Sequence, residues 1–185
     1  MTRSELEHAI RAACDVTREE VVIVFGSQSI LGQYPDAPAD LRQSLEADIA
    51  PGSGDPEAAD RIDAALGEDS HFHRTHGFYV HGLTIDAACL PRGWEARTVS
   101  LRNAGTNQME GRCIEAHDLA ASKLVAFRDK DRAFVRVLIA EGLVRIAKLK
   151  LWLSQLQNPA TEVDRMLRWV DLTVRDLGSA LTGNE

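Results

Sequence analysis

Val21-Val22-Ile23-Val24-Phe25-Gly26-Ser27-Gln28, followed by Glu46-Ala47-Asp48, is the stretch that decides the architecture. Five apolar residues, mostly β-branched, read as a buried strand. Gly26 ends it, where a backbone must turn tightly or approach a ligand closely. Ser27 adds a hydroxyl and a backbone N–H. Glu46 and Asp48 lie two apart on what reads as the next strand, so their carboxylates point to the same face. A Gly-Ser turn that can meet phosphate, beside paired carboxylates, suits a nucleotide with Mg2+. The same residues also describe an ordinary turn beside a solvated strand edge, and spacing alone leaves both readings open.

Working outward, Ser4-Glu5-Leu6-Glu7 has capping-box spacing and predicts a helix to about Cys14, burying Leu6, Ile10 and Ala13. Ala39 to Leu45 reads as a short helix. Glu46–Ala50 is the second strand, stopped by Pro51-Gly52-Ser53-Gly54. Asp55 as N-cap and Pro56 at the first helical position open a helix that Gly67 ends. Phe72 to His76 reads as irregular. Gly77–Gly82 reads as a strand, Leu83–Cys89 as a further extended piece, and Arg97–Leu101 and Arg112–Glu115 as short strands.

From His117-Asp118 onward the pattern is helical. Asp118 is the expected N-cap of a helix over 119–127, and a second opens at Asp129 or Lys130 and runs through Ile139. Gly142 breaks the pattern before helices over 143–156 and 161–177. In the last, Val163, Met166, Leu167, Val170, Val174 and Leu177 share one face, which could pack internally or against a second copy. The expected fold class is α/β (α+β): a mixed sheet with flanking helices over residues 1–116, then a C-terminal helical bundle over 117–185, packed on that core. No linker separates the halves, so they are expected to form one cooperative unit.

Composition narrows the function classes. The 185 residues are 44% hydrophobic and 26% charged, an ordinary balance for a folded domain. No apolar run approaches a membrane span, so no membrane partner is expected. Met1–Glu7 has no apolar secretory core, and a cytoplasmic setting is expected. Cys14, Cys89 and Cys113 are odd in number and far apart, and read as small buried thiols. The net charge of −7 argues against a generally sticky nucleic-acid binder. Residues 123–150 run the other way, with eight basic against three acidic side chains, and a polyanion would be drawn there. A solvated helix face has the same composition.

Two further groups could carry chemistry. Lys123-Leu124-Val125-Ala126-Phe127-Arg128-Asp129-Lys130-Asp131 puts Lys123 and Asp131 just over two turns apart if one helix continues through them, able to face one cleft. Asp86, in the apolar stretch Leu83–Ala88, is a candidate third acid, as base or metal ligand. His71, His73, His76 and His81 fit no compact zinc-ligand spacing. Trp94, Trp152 and Trp169 read as packing residues.

Taken together, Phe25-Gly26-Ser27-Gln28-Ser29-Ile30-Leu31-Gly32, Ser44-Leu45-Glu46-Ala47-Asp48, Leu90-Pro91-Arg92-Gly93-Trp94, Glu115–Lys123 and Arg128-Asp129-Lys130-Asp131 resemble a family of small bacterial nucleotidyltransferase-fold proteins. That family is related to the AbiEii-type toxins of toxin–antitoxin systems, and the resemblance covers roughly residues 20–140. It implies a nucleotidyltransferase-like core in which Gly26 and Ser27 grip the NTP triphosphate and Glu46 and Asp48 bind Mg2+. Lys123 would contact the phosphates, Asp131 would position the reacting groups, and Arg128 and Lys130 would hold phosphate or an RNA backbone. The implied reaction is transfer of a nucleoside monophosphate from an NTP, with pyrophosphate release, to the 3′ end of tRNA. A separately encoded antitoxin would oppose it. The first acid is Glu rather than Asp, and a catalytically inactive binding module acting through a protein partner is the alternative.

Overall fold

Val22 and Val24 are fully buried in β1 (Val21–Phe25), as are Ala47 and Ile49 in β2 (Glu46–Pro51). The strands are antiparallel, with Val24 opposite Ile49 and Phe25 opposite Asp48. Because side chains alternate, burying Ala47 and Ile49 obliges Glu46 and Asp48 to take the other face. A slip of one residue would exchange the two sets and drive both carboxylates inward, so this register is strongly specified.

The computed structural model describes residues 1–182, with side chains described to residue 178. The end of the predicted helical region, residues 183–185, lies outside the described residues. The mixed α/β class with a helical C-terminal region is what the structure shows, and the chain divides into two units. The first comprises Met1–Ala88 and Glu95–Glu115; the second comprises Cys89–Trp94 and the chain from Ala116 onward.

The first unit holds α1 (Arg3–Thr17), β1, α2 (Ile30–Gln33), β2, α3 (Pro56–Leu66), α4 (His71–His76), β3 (Tyr79–Gly82), β4 (Val99–Leu101) and β5 (Glu110–Cys113). The strand order is β3-β2-β1-β5-β4. β2 pairs with β3 in parallel and β1 with β5 in parallel; the other two pairs are antiparallel. Leu6, Ala9, Ile10 and Ala13 of α1 are completely buried, and Ile10 lies so close over Gly111 that a Cβ there would come within 2.4 Å of it.

The N-terminal cap differs from expectation. It is Thr2, not Ser4: the Thr2 hydroxyl accepts from the Glu5 N–H at 3.2 Å, and the Glu5 carboxylate accepts from the Thr2 N–H at 2.6 Å. Glu7 instead accepts from Arg3 Nε at 3.1 Å and from Asn103 Nδ2 at 2.8 Å. Thr2→Ala is therefore expected to cost about 1 kcal/mol, while Ser4→Ala stays within about 0.5 kcal/mol. Urea melts of the two variants check this.

Other local expectations also shift. Phe72–His76 is helical, because Ser70 caps it by accepting from the His73 N–H. Ala39–Leu45 keeps only one 3-10 turn, at Ala39–Leu41. Leu83–Cys89 is not a strand; it carries a 3-10 turn at Ile85–Ala87. β5 starts two residues early, with the Glu110 N–H donating to Glu20 O at 2.8 Å. Cys14 and Cys113 are buried, and burial pushes each thiol up to about 12, but Cys89 is exposed.

The second unit is α5 (Ala116–Ala126), α6 (Asp129–Ala140), α7 (Ile146–Ser154) and α8 (Ala160–Thr182). α5 is buried on nearly every side, from Ala116 through Ala121 and at Leu124, as befits the central helix of a small bundle. Asp118 lies inside α5 and is fully buried, so it is not the N-cap. His117 Nε2 accepts from the Arg145 N–H at 2.8 Å, which ties the start of α7 to α5. Among the described side chains of α8, Met166, Val170 and Thr173 are buried, while Val174 is exposed. Among the described residues no helix is long and apolar enough to cross a membrane.

Candidate functional site

The turn after β1 is built around Gly26, at φ 63° and ψ −165°, a conformation open to glycine and few other residues. Its carbonyl accepts from both the Ser29 N–H, at 3.3 Å, and the Ser29 hydroxyl, at 2.9 Å. The pairing of Phe25 with Asp48 leaves Gly26 beside the Asp48 side chain. A Cβ on Gly26 would stand 1.8 Å from Asp48 Oδ2, so the carboxylate occupies the space that any side chain would need. Ser27 follows, half-buried. Gln28 is fully buried, and neither its Oε1 nor its Nε2 has a hydrogen-bond partner among the described residues.

Parallel pairing aligns Glu46 with Tyr79 and Asp48 with His81. Val80 is fully buried, so Tyr79 and His81 share the carboxylate face. His81 Nδ1 lies 3.0 Å from Glu46 Oε1 and 3.5 Å from Asp48 Oδ1. The Tyr79 hydroxyl donates to Glu46 Oε2 at 3.2 Å. The Glu46, Asp48 and His81 side chains are 34%, 22% and 43% exposed, so the cluster is open to solvent. Burial works against the charge on Glu46, but hydrogen bonds with Asp48, His81 and Tyr79 outweigh it and hold its carboxyl below the usual range. Burial, with the Glu46 charge next, pushes the Tyr79 phenol up to about 12.

One ligand-capable atom from each of Glu46, Asp48 and His81 lies within 4.8 Å of the others, a set able to hold a metal ion. The sequence reading found the two acids but not the histidine. Asp86, its candidate for the third group, is exposed on the 3-10 turn and takes no part in this set. The missed signal was Tyr79-Val80-His81, polar-apolar-polar in the same phase as Glu46-Ala47-Asp48. The other histidines go elsewhere. His76 packs edge-on to His8, with ring centroids 4.5 Å apart, beside Phe72 and Phe78, and His73 lies 4.9 Å from the Tyr79 ring.

The remaining predicted residues lie in the second unit. As expected, one helix ends near Phe127 and a second opens at Asp129: Phe127 takes φ 54°, and Arg128 is extended and N-caps α6. Lys123 and Asp131 meet because of that break, with Nζ 3.5 Å from Oδ1. Arg128 Nε donates to Asp131 Oδ2 at 2.6 Å. Asp131 is 1% exposed, and Lys130 is exposed. Much of the local positive charge is answered within the unit: Arg132 pairs with Asp129, Arg136 with Asp176 at 2.6 Å, and Lys150 with Asp171.

Burial opposes the charge on Asp131, but the Arg128 hydrogen bond and the charges of Lys123 and Arg128 prevail and hold its carboxyl low. A lowered folded-state value stabilises the fold above the unfolded value of about 3.9, and the benefit is lost as pH falls below it. Arg128→Ala is thus expected to cost about 1.5–3 kcal/mol at pH 7 and less at pH 3. Denaturant melts at both pH values check the difference.

Compared with protein-family models, with curated proteins and with solved structures, the chain gave no match.

Proposed function

We propose that this chain is a Mg2+-dependent nucleotidyltransferase that moves a nucleoside monophosphate from an NTP to an acceptor hydroxyl. The observation that supports it best is the apposition of the Gly26 backbone to the Asp48 carboxylate, with Glu46 beside it on an open strand face. Oxygen donors from two carboxylates suit a hard divalent cation, and the bare glycine leaves room for them. Glu46 and Asp48 would hold Mg2+, which when bound neutralises phosphate charge and polarises the phosphoryl oxygens. The Ser27 hydroxyl and the N–H groups of the turn would bind and orient the triphosphate. In the reaction the acceptor hydroxyl loses its proton to solvent, its oxygen bonds to the α-phosphorus, the bond from that phosphorus to the bridging oxygen breaks, and pyrophosphate leaves.

The phosphate- or RNA-holding roles of Lys123, Arg128 and Lys130, and the positioning role of Asp131, rest on the family resemblance. So do the tRNA 3′ end as acceptor and a cognate antitoxin as protein partner. A cytoplasmic setting completes the reading. The test is incubation with each NTP labelled at the α-phosphate, Mg2+ and total tRNA. The expected result is label in RNA with matching pyrophosphate. No label and no pyrophosphate with any NTP would favour a non-transferring module of the same fold.

A further inference from the structure

We propose that His81 is the third ligand of the Glu46–Asp48 site and that it turns the site toward a first-row transition divalent cation, Mn2+ or Co2+, over Mg2+. This rests on the reading of Glu46 and Asp48 as metal ligands. The parallel register sets His81 level with Asp48, and one ring nitrogen, Nδ1, faces both acids at 3.0 and 3.5 Å. Two donors at right angles on one ion, each about 2.1 Å from it, lie about 3.0 Å apart. The observed separations, those of a hydrogen-bonded cluster, also fit neighbouring ligands of one cation. The ligands come from adjacent hydrogen-bonded strands, so the backbone fixes their spacing. Gly26 lets Asp48 Oδ2 keep its place in the set, since any Cβ there would displace it.

The donor chemistry selects the metal. Mg2+ asks for oxygen ligands and gives up water reluctantly. An imidazole nitrogen is a poorer donor to Mg2+ than to Mn2+ or Co2+, and affinity at a mixed nitrogen–oxygen site rises along the transition series. Replacing a third carboxylate by His81 also lowers the negative charge of the set, which weakens Mg2+ more than a cation that bonds well to nitrogen.

The test is metal titration of the chelator-stripped protein without nucleotide, following free Mn2+ by electron paramagnetic resonance and Co2+ by visible absorption, with Mg2+ as competitor. Wild type is expected to prefer Mn2+ and Co2+ over Mg2+ by roughly tenfold or more. His81→Ala and His81→Gln, checked for native circular dichroism, are expected to lose that preference and to keep Mg2+ affinity within about twofold. Asp48→Asn should weaken all three ions. Equal affinities in wild type, no binding of any ion, or an unchanged preference in a folded His81 variant would overturn the proposal. A preference that depends on His81, without nucleotidyl transfer by any metal form, would leave this inference standing and remove the transferase reading. Transfer without the preference would do the reverse.

Discussion

Replacing Asp48 by Asn is expected to lower nucleotidyl transfer by about a thousandfold, at unchanged protein and NTP concentration. The size follows from the chemistry: metal stabilisation of a phosphoryl transition state is worth several kcal/mol, and each 1.36 kcal/mol is about a factor of ten in rate. Asn keeps the volume of Asp but loses the charge that would hold a cation. Asp48 lies on the open face of β2, and the strand's buried residues include Ala47 and Ile49 on the opposite face, so the fold is expected to survive. Transfer rates measured beside circular dichroism and thermal melts check both halves. Full activity in a folded Asp48→Asn protein would show that the cation is not held there.

Gly26→Ala is the second large effect, and it acts from outside the ligand set. Its φ of 63° and ψ of −165° lie where a residue with a Cβ is strained, at a cost of about 1–3 kcal/mol. The new methyl would also sit 1.8 Å from Asp48 Oδ2, so the carboxylate must leave its present position in the set. The expected outcome is a melting temperature lower by roughly 2–10 °C, with transfer and metal affinity falling nearly as far as in Asp48→Asn. A variant that loses stability but retains full metal affinity would show that Gly26 serves the turn alone.

The elements that organise this site were legible because their patterns are local. Val21–Phe25 is an unbroken apolar run, and Asp55-Pro56 with Gly67 marks both ends of α3. The site was half legible. Glu46 and Asp48 stand on one strand, so alternation alone sets them together. His81 joins them only through the pairing of β2 with β3, thirty-odd positions later in the chain, and no local pattern encodes that register. Asp86 attracted attention instead because its neighbours are apolar. The chain leaves the sheet at Gly82, where α3 comes so close that a Cβ would stand 2.3 Å from Ala59 O, and the following residues turn rather than extend.

The break between α5 and α6 was legible in the sequence, but its geometry was not. It needs a left-handed residue, and the residue that adopts it is Phe127, not a glycine. Its ring lies 4.9 Å from the Arg132 guanidinium and 4.3 Å from that of Arg165, a tertiary setting that outweighs the local preference. The short contact of Lys123 and Asp131 follows from that turn rather than from helical periodicity.

A crystal structure with a divalent cation and a non-hydrolysable NTP analogue checks most directly whether the Gly26-Ser27 turn and the Glu46–Asp48 pair together receive a metal-bound triphosphate. The expected result is the triphosphate against the Gly26-Ser27 backbone, with the ion on the Glu46 and Asp48 carboxylates. A triphosphate bound elsewhere on the chain, with those carboxylates free of metal, would contradict it.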